Sequence, residues 1–452
     1  TMHAAIVKHL LDTAGSDEAL AYHCHQSGDF ERAVRFGEVA GDKALATSAL
    51  DRARQQYATA LHALESLQPC VEQKRWFLSI AARWGQACVY SSSRDQLALL
   101  ERALTYAQEL GDNRGLAEVQ TLLGWIHYVL GDYPSAEAHY TLAREVAETL
   151  GEPGRRLLVQ LDANFGQCYA ASGSYDEALR LLSNSIVSKQ VRTKTGPNHV
   201  AQGSAYALAC RAAIHGDRGD FALADRDLKL ARELCEDTGH AIEGSVFALN
   251  AMVELQRGEW EACCSAALRS HSIAERDSHY TFTTSAAYEA YARFMQARED
   301  DALRQLRNSV ESLEARGTTL FLSFAQACLA HAAWVSGDIS LAQYWAERAL
   351  VRARQHDPLG EAAAHRVLAR VCSTRSTPSR IELASHLQSA LAAAERRRSP
   401  REALLTHHLA ARLCAPNLQL SAEQAVAELQ HLGVRADTIE RSTSQTIPIA
   451  AN

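Results

Sequence analysis

Residues 123–136, which read Leu-Gly-Trp-Ile-His-Tyr-Val-Leu-Gly-Asp-Tyr-Pro-Ser-Ala, indicate the fold class. An apolar run ends at Gly131, and after Asp132 a second run begins in which Ala136 and Tyr140 start a series of apolar positions spaced three or four residues apart. Glycine suits the left-handed position after a helix, and aspartate can accept hydrogen bonds from the amides that open the next helix. The stretch therefore predicts two amphipathic helices joined by a tight turn.

The same phrase, Gly-Asp or a close variant followed by an apolar residue and a small one, recurs along the chain. Close copies begin at Gly28, Gly131, Gly173, Gly219, Gly258 and Gly337. Weaker copies between Ser48 and Ser379 complete a series with steps of 39 to 46 residues. A second set of turns, at Gly111, Gly151, Gly239 and Gly317, divides four of these units into halves of about 20 residues. The period predicts roughly nine to ten antiparallel helix pairs of about 40 residues each.

Composition and proline placement favour the same all-α architecture. The 452 residues include only 9 prolines and 24 glycines. Because proline breaks a helix interior, its positions test the predicted joints. Seven prolines lie at or near predicted joints, one lies in a first turn and one lies in the tail: Pro69, Pro153, Pro197, Pro358, Pro378, Pro400, Pro416, Pro134 and Pro448.

The net charge and the cysteine content limit which binding partners and which cellular compartment are expected. Against 46 Lys and Arg stand 53 Asp and Glu, which gives a formal charge of -7. This balance offers no general attraction to phosphate backbones or anionic lipids, so we predict neither direct nucleic-acid binding nor membrane association. The 11 cysteines contain no CxxC pair and no signal-peptide core precedes them, so a cytoplasmic protein with reduced thiols is expected.

Residues 123–136, and Phe165 to Ala178 with Gly166, Tyr169 and Gly173, resemble the tetratricopeptide repeat. In that family small residues lie where helices touch and large residues interlock. The resemblance implies a right-handed superhelical solenoid of antiparallel helix pairs. The period near 40 exceeds the family's 34, so longer helices and variable joints are expected.

A second resemblance lies in residues 20–45, where Gly28-Asp29-Phe30 and Gly41-Asp42-Lys43 occur. This segment is similar to the junction that follows the nucleotide-binding modules of bacterial multidomain signalling (STAND-type) ATPases, including nucleotide-cyclase-linked, LuxR-type and maltose-activator-like regulators. The resemblance implies that residues 1–47 are N-terminal helices joined to a preceding module and that residues 48–432 form a sensing repeat arm. Residues 433–452 lack periodicity and are expected to form a disordered tail.

Sequence motifs for catalysis or cofactor binding do not occur. Gly41-Asp42-Lys43-Ala44 fails the P-loop pattern, and no G-x-G-x-x-G, H-E-x-x-H or G-x-S-x-G is present. His23 and His25 diverge by about 200° on a helix and cannot both chelate one metal. We therefore predict no enzyme activity in this chain, no cofactor and no metal.

Two residue clusters have plain structural interpretations. Cys168, Cys210, Cys328 and Cys372 follow the repeat spacing, which favours small buried packing residues. The basic run Arg396-Arg397-Arg398, followed by Arg401, is interpreted as a solvated helix end, with a nucleic-acid or acidic-partner contact as the alternative.

Successive first helices of such pairs line a concave surface. The resemblance implies groove positions at Glu118, Thr121, Trp125, Tyr128, Gln160, Gln167, Tyr206, Met252, Tyr288, Met295, Phe324, His331 and Trp334. Aromatic and methionine side chains suit recognition of a peptide or protein segment. The alternative is that this stripe belongs to the core, since aromatic residues at helical spacing are often buried.

The sequence thus predicts a non-catalytic interaction and sensing domain of a cytoplasmic signalling or transcription-regulatory ATPase. Its partner would be a peptide, a protein segment such as its own upstream nucleotide-binding module, or a small inducer, and oligomers are compatible with the pattern. The alternative is a self-contained helical-repeat receptor for a signalling peptide.

Overall fold

The structure, a computed structural model, describes residues 2–193, 199–235, 240–276, 281–317, 319–375, 379–413 and 420–435. Within these ranges the chain forms α-helices and one short 3-10 turn, Arg94–Gln96, and contains no strand. The predicted all-α class is confirmed. The chain divides into two compact units, which are described separately below.

The first unit consists largely of Thr1–His127 and Ser135–Leu161. Its helices are α1 (Met2–Asp12), α2 (Asp17–Ser27), α3 (Phe30–Ala46), α4 (Leu50–Glu65), α5 (Val71–Cys88), α6 (Leu97–Leu110), α7 (Asn113–Val129) and α8 (Tyr133–Thr149), with the start of α9 (Glu152–Ala171). It includes both the expected N-terminal segment, residues 1–47, and the start of the expected repeat region.

The second unit consists largely of Tyr128–Pro134, Asp162–Glu275 and the described chain from residue 281 onward. Its further helices are α10 (Tyr175–Thr193), α11 (His199–Arg218), α12 (Phe221–Cys235), α13 (Ile242–Arg257), α14 (Trp260–Arg276), α15 (Thr281–Ala297), α16 (Asp300–Arg316), α17 (Leu322–Ser336), α18 (Ile339–Arg354), α19 (Glu361–Thr374), α20 (Arg380–Arg396), α21 (Pro400–Arg412) and α22 (Ala422–His431).

Turns between paired helices follow the Gly-Asp prediction. Gly337 has a φ of 90°, a left-handed conformation that a side chain would strain, and its N–H donates to the carbonyl of Trp334. Asp338 then caps α18, because its side chain accepts a 2.9 Å hydrogen bond from the amide of Leu341. Short joints of this kind reverse the chain, so the paired helices run antiparallel.

Small residues let the paired helices approach closely, as the repeat resemblance implied. Ala136 and Ala178 are fully buried. In the first unit the ring of Tyr140 packs directly on α7, so that a Cβ added at Gly124 would lie 2.4 Å from Tyr140 Cε1. The large residue therefore fills the space that the missing side chain leaves.

The prolines and cysteines within the described ranges also lie where the sequence placed them. Pro134 and Pro153 lie in the first turns of helices, and Pro400 is the first residue of α21. Pro197, Pro378, Pro416 and Pro448 lie outside the described residues. Cys168, Cys210, Cys328 and Cys372 are all buried, as their repeat spacing predicted.

A network of buried charged side chains joins the end of α11 to the start of α21 within the second unit. Asp217, near the end of α11, accepts hydrogen bonds from Arg397 Nε at 3.1 Å and from Arg401 Nη2 at 3.2 Å. The Oγ of Ser399 donates to the backbone carbonyl of Asp217 at 2.5 Å. The hydroxyl of Tyr175 donates to the same carboxylate at 2.9 Å. We call this set of contacts the closure.

The closure corrects the interpretation of the basic run as a solvated helix end. Arg397 and Arg401 are 2% and 4% exposed, whereas Arg396 and Arg398 remain exposed and pair with Glu361 and Asp176. The solvated interpretation is wrong for the two buried arginines. Their common partner, Asp217, is remote in sequence, so the residues around the basic run do not indicate the contact.

The last described residues pack into the second unit. Val434 is buried in a cluster with Phe221 and Leu429. Of the expected disordered tail, residues 433–452, only the first three are described, and residues 436–452 lie outside the described ranges.

Candidate functional site

The first helices of the pairs in the second unit, α11, α13, α15, α17 and α19, contact one another in sequence. Each also packs on its own partner helix, so these helices are enclosed on several sides. Of the 15 residues of α17, 12 are buried, so this helix has little solvent-facing surface. We call this stack the first-helix layer.

A cavity of about 120 Å³ lies against this layer, where α13, α15, α17, α19 and α21 converge. Its polar and aromatic lining includes Gln256, Trp260, Tyr291, Phe324, His331, Arg366, Arg370, Arg401 and Glu402. An engineered apolar cavity of similar size, about 150 Å³, accommodates benzene. The space therefore suits one side chain or one terminal group. We call it the arginine cavity.

Positive charge predominates in the lining of the arginine cavity. Arg366, Arg370 and Arg401 are all buried, and Glu402 is the one carboxylate among the lining residues. Buried charges are costly unless they are paired. Arg401 also pairs with Asp217, which does not line the cavity, so three lining arginines face two carboxylates in all.

Glu402 holds two of these arginines. Its Oε2 lies 2.7 Å from Arg366 Nη1, and its Oε1 lies 2.6 Å from Arg401 Nη2. Burial alone would raise the pKa of Glu402, but Arg366, Arg401 and Arg397 outweigh it and lower that pKa to about 2. Glu402 is therefore ionised at neutral pH and fixes the two guanidinium groups in place.

Arg370 contributes the third positive charge. It is 6% exposed, and its guanidinium lies over the ring of Trp334, with Cζ 4.9 Å from the ring centroid. Burial, and next the charge of Arg366, lower the pKa of Arg370 to about 9. An anion placed beside Arg370 would oppose both effects, because it favours the charged guanidinium.

Two neutral side chains add hydrogen-bonding capacity to the cavity. Gln256 is 3% exposed, and neither atom of its side-chain amide has a hydrogen-bond partner among the described residues. The indole N–H of Trp260, also buried, has no acceptor within that part of the chain. Buried polar groups are normally satisfied, so these atoms point to a ligand or bound water.

Aromatic side chains form another part of the lining. The hydroxyl of Tyr291 and Nδ1 of His331 lie 2.8 Å apart, and the rings of Trp260 and Tyr291 meet edge to face with centroids 6.2 Å apart. The rings of His331 and Trp334 are stacked 6.3 Å apart. The lining therefore combines buried arginines with aromatic side chains. Such a site can bind a ligand that carries an acidic group next to an apolar group.

Of the predicted groove residues, Phe324 and His331 line the arginine cavity, and Trp334 supports Arg370 from beside it. Whether they contact a ligand remains a prediction.

Another predicted group gathers around a second, smaller cavity of about 20 Å³, which Tyr206 and Tyr288 line. The hydroxyls of Tyr128 and Tyr206 lie 2.9 Å apart, and Tyr288 donates to the sulfur of Met252 at 3.6 Å. All four side chains are buried. The volume is enough for a water molecule but not for a peptide side chain.

The remaining predicted residues are dispersed. Gln167 and Met295 are buried in the second unit. Glu118, Thr121, Trp125 and Gln160 belong to the first unit. There the indole N–H of Trp125 donates to the carbonyl of Val89 at 2.8 Å, so this ring is held within the fold.

Sequence reasoning missed Gln256, Arg366, Arg370 and Glu402, and it singled out Arg401 only as part of the basic run. One signal was present: Arg366 and Arg370 are four residues apart in segment 362–372, whose other residues are apolar except for His365. Arginines spaced this way share a helix face. The apolar residues around the two arginines in the sequence indicated that this helix face is buried.

Comparisons with known proteins bear on the fold. No family model matches the sequence, and no curated protein matches it. Among solved structures, the crystal structure of a Rap protein complexed with Competence and Sporulation Factor is similar, with a TM-score of 0.52 at 11% identity. The match covers 88% of this chain and 99% of the Rap chain. The likeness shows a shared helical-repeat fold.

None of the described helices combines the length and the apolarity that a bilayer crossing requires.

Proposed function

We propose that this chain is a non-catalytic helical-repeat receptor that binds a peptide on the first-helix layer of the second unit. The observation that carries the proposal is the arginine cavity. It has three buried guanidinium groups, one lining carboxylate and the unsatisfied amide of Gln256. An acidic group of the ligand, either a C-terminal carboxylate or an Asp or Glu side chain, would accept hydrogen bonds from Arg370 and Trp260.

Cavity size and lining favour a peptide over a free small acid. The arginine cavity accommodates one group of a ligand, and the rings of Tyr291, Phe324 and His331 line it beside the guanidinium groups. A peptide that inserts one acidic residue would place its carboxylate at the arginines and the apolar part of that residue against these rings. The Rap protein, which shares the fold, is bound to Competence and Sporulation Factor in its own structure, and this supports a receptor role for the fold.

The wider context remains a prediction from the sequence. In the first version, the chain is the sensing arm of a cytoplasmic signalling or transcription-regulatory ATPase, and its nucleotide-binding module is a partner. In the alternative, the chain is a self-contained receptor. Reading the coding sequence upstream of Thr1 separates the two, because only the first version requires a P-loop there.

The binding proposal is tested with a random pentapeptide library made in two forms, with a free C-terminal carboxylate and with a C-terminal amide. Peptides retained by the purified chain are identified, and their affinities are measured by calorimetry. Enrichment of a free carboxylate or of Asp and Glu at one position is expected. Arg370→Gln should weaken the selected peptides by roughly 10- to 100-fold, because a charged hydrogen-bond partner is lost.

The matched control is Arg304→Gln, which alters an exposed arginine of the same unit that pairs with Asp301. Its affinities should equal those of the parent chain. Selected peptides that carry no acidic group and bind Arg370→Gln as tightly as the parent would overturn the proposal.

A further inference from the structure

Four side chains with metal-ligating atoms meet between α19 and α20, on the contact between paired helices. His365 and Cys372 lie seven residues apart on α19, and Glu382 and His386 lie four apart on α20. Both spacings put the two residues on one face of their helix. Two faces, each with two ligands, are therefore turned towards one another.

His386 lies close to each of the other three residues. The Nδ1 atoms of His365 and His386 are 3.1 Å apart. The ligand atoms of Cys372, Glu382 and His386 all lie within 4.8 Å of one another. In a tetrahedral zinc site with Zn–N bonds of about 2.05 Å, two nitrogens are about 3.3 Å apart. The histidine pair has nearly this separation, and His386 is also grouped with Cys372 and Glu382.

We propose that His365, Cys372, Glu382 and His386 hold one zinc-class divalent ion that joins α19 to α20. The set of two imidazoles, one thiolate and one carboxylate matches the ligand types that zinc prefers. Each ligand comes from a described helix whose position is fixed by packing, since Cys372 and Leu387 belong to one buried cluster.

The protonation states agree with this geometry. Burial, and next the neighbouring His386, lower the pKa of His365 to about 4, so its ring is neutral at pH 7 and can offer a lone pair. Burial also lowers the pKa of His386. The thiol of Cys372, whose pKa burial and Glu382 raise to about 11, would release its proton when the ion binds.

Arg375 supports the carboxylate from outside the site. Its Nη1 lies 2.7 Å from Oε2 of Glu382, which leaves Oε1 of the same carboxylate for the ion. An outer contact of this kind orients a ligating carboxylate.

The site has a consequence for the arginine cavity. α19 carries Arg366 and Arg370 as well as His365 and Cys372, so an ion that ties α19 to α20 would fix the helix that supplies the cavity's positive charge. The metal proposal does not depend on the peptide proposal, since the two use different side chains of α19.

The full chain, freed of metal with a chelator and kept reduced, is titrated with Co²⁺. We expect one equivalent to produce the visible bands of tetrahedral cobalt and a thiolate-to-cobalt charge-transfer band, and one equivalent of Zn²⁺ to remove both. Cys372→Ser should lose the charge-transfer band, and His386→Gln should weaken binding at least about tenfold. Zn²⁺ should raise the Tm of the parent chain but not of these variants.

The control variants are Cys70→Ser and Cys264→Ser, which remove the exposed and the half-buried cysteine elsewhere. Both should keep the bands. Loss of the bands in either control, or a parent chain that gives no tetrahedral spectrum, would show that the four residues are only a packed, hydrogen-bonded cluster. Circular dichroism checks that each variant is folded. If Cys372→Ser does not fold, the loss of Co²⁺ affinity in His386→Gln tests the site instead.

Discussion

Asp217 Oδ2 accepts a 3.1 Å hydrogen bond from Nε of Arg397, a residue 180 positions later in the chain. Both side chains are almost completely buried, and Arg401 binds the other carboxylate oxygen at 3.2 Å. The contact joins the end of α11 to the turn before α21. Such a pair stabilises the fold only while both charges are present, because each alone would be a buried, unpaired ion.

Asp217→Asn should therefore lower the free energy of unfolding by about 3–5 kcal/mol, since Arg397 and Arg401 lose their shared carboxylate. Urea unfolding followed by circular dichroism measures the change. Asp176→Asn is the control: Asp176 is exposed and pairs with Arg218 at 2.7 Å, so it should cost less than about 1 kcal/mol. Equal effects of the two substitutions would contradict the assigned importance of the closure.

Stability should depend on the ionisation of Glu402. Its pKa is about 2 in the fold against an ordinary 4.5, because Arg366 and Arg401 outweigh the effect of burial. A depressed carboxyl pKa stabilises the fold above about pH 4.5, and this contribution is lost as the pH falls towards 2. The shift corresponds to about 3 kcal/mol at neutral pH.

The measurement compares the parent chain with Glu402→Gln by urea unfolding between pH 7 and pH 3. The stability gap should be widest at pH 7 and narrow below pH 4.5, because the glutamine does not titrate. Glu311→Gln, at an exposed residue paired with Arg307, should show little gap at any pH. A gap for Glu402→Gln that is constant with pH would mean that Glu402 does not titrate as described.

Close helix contact predicts an asymmetry between two glycines. Gly124→Ala should destabilise the chain by about 1–3 kcal/mol, because the added Cβ would lie 2.4 Å from Tyr140. Gly244→Ala should be neutral or slightly stabilising, since its nearest contact, Ile273 Cγ2 at 3.4 Å, is an ordinary one. Thermal unfolding of the two variants is the readout, and the reverse order would refute the packing assigned to Gly124.

Local features of this fold could be predicted from the sequence, because their causes lie within a few residues of one another. The turn at Gly337-Asp338 needs a left-handed residue and a cap, and both are adjacent. The small residues Ala136, on α8, and Ala178, on α10, each mark a helix contact inside their own pair. Such signals repeat along the chain, so their period revealed the helix pairs.

The charged parts of the molecule could not be predicted in the same way. Arg397 looks like part of a solvated run until Asp217 is placed beside it, and the two are far apart in sequence. The proposed metal ligands are likewise divided between two helices, with His365 and His386 separated by 21 residues. Of the predicted aromatic groove, Tyr128 and Met252 are buried, while Phe324 and His331 reach the arginine cavity.

The closure also limits which insertions or deletions of whole helix pairs this protein can tolerate. Open repeat arrays can gain or lose a unit by duplication or deletion, because each unit contacts only its neighbours. In the second unit, removing one helix pair between α11 and α21 would carry Arg397 and Arg401 away from Asp217 and leave three ionised groups facing an apolar interior. Variants with a different number of pairs in this stretch should therefore survive only where all three residues have been replaced together.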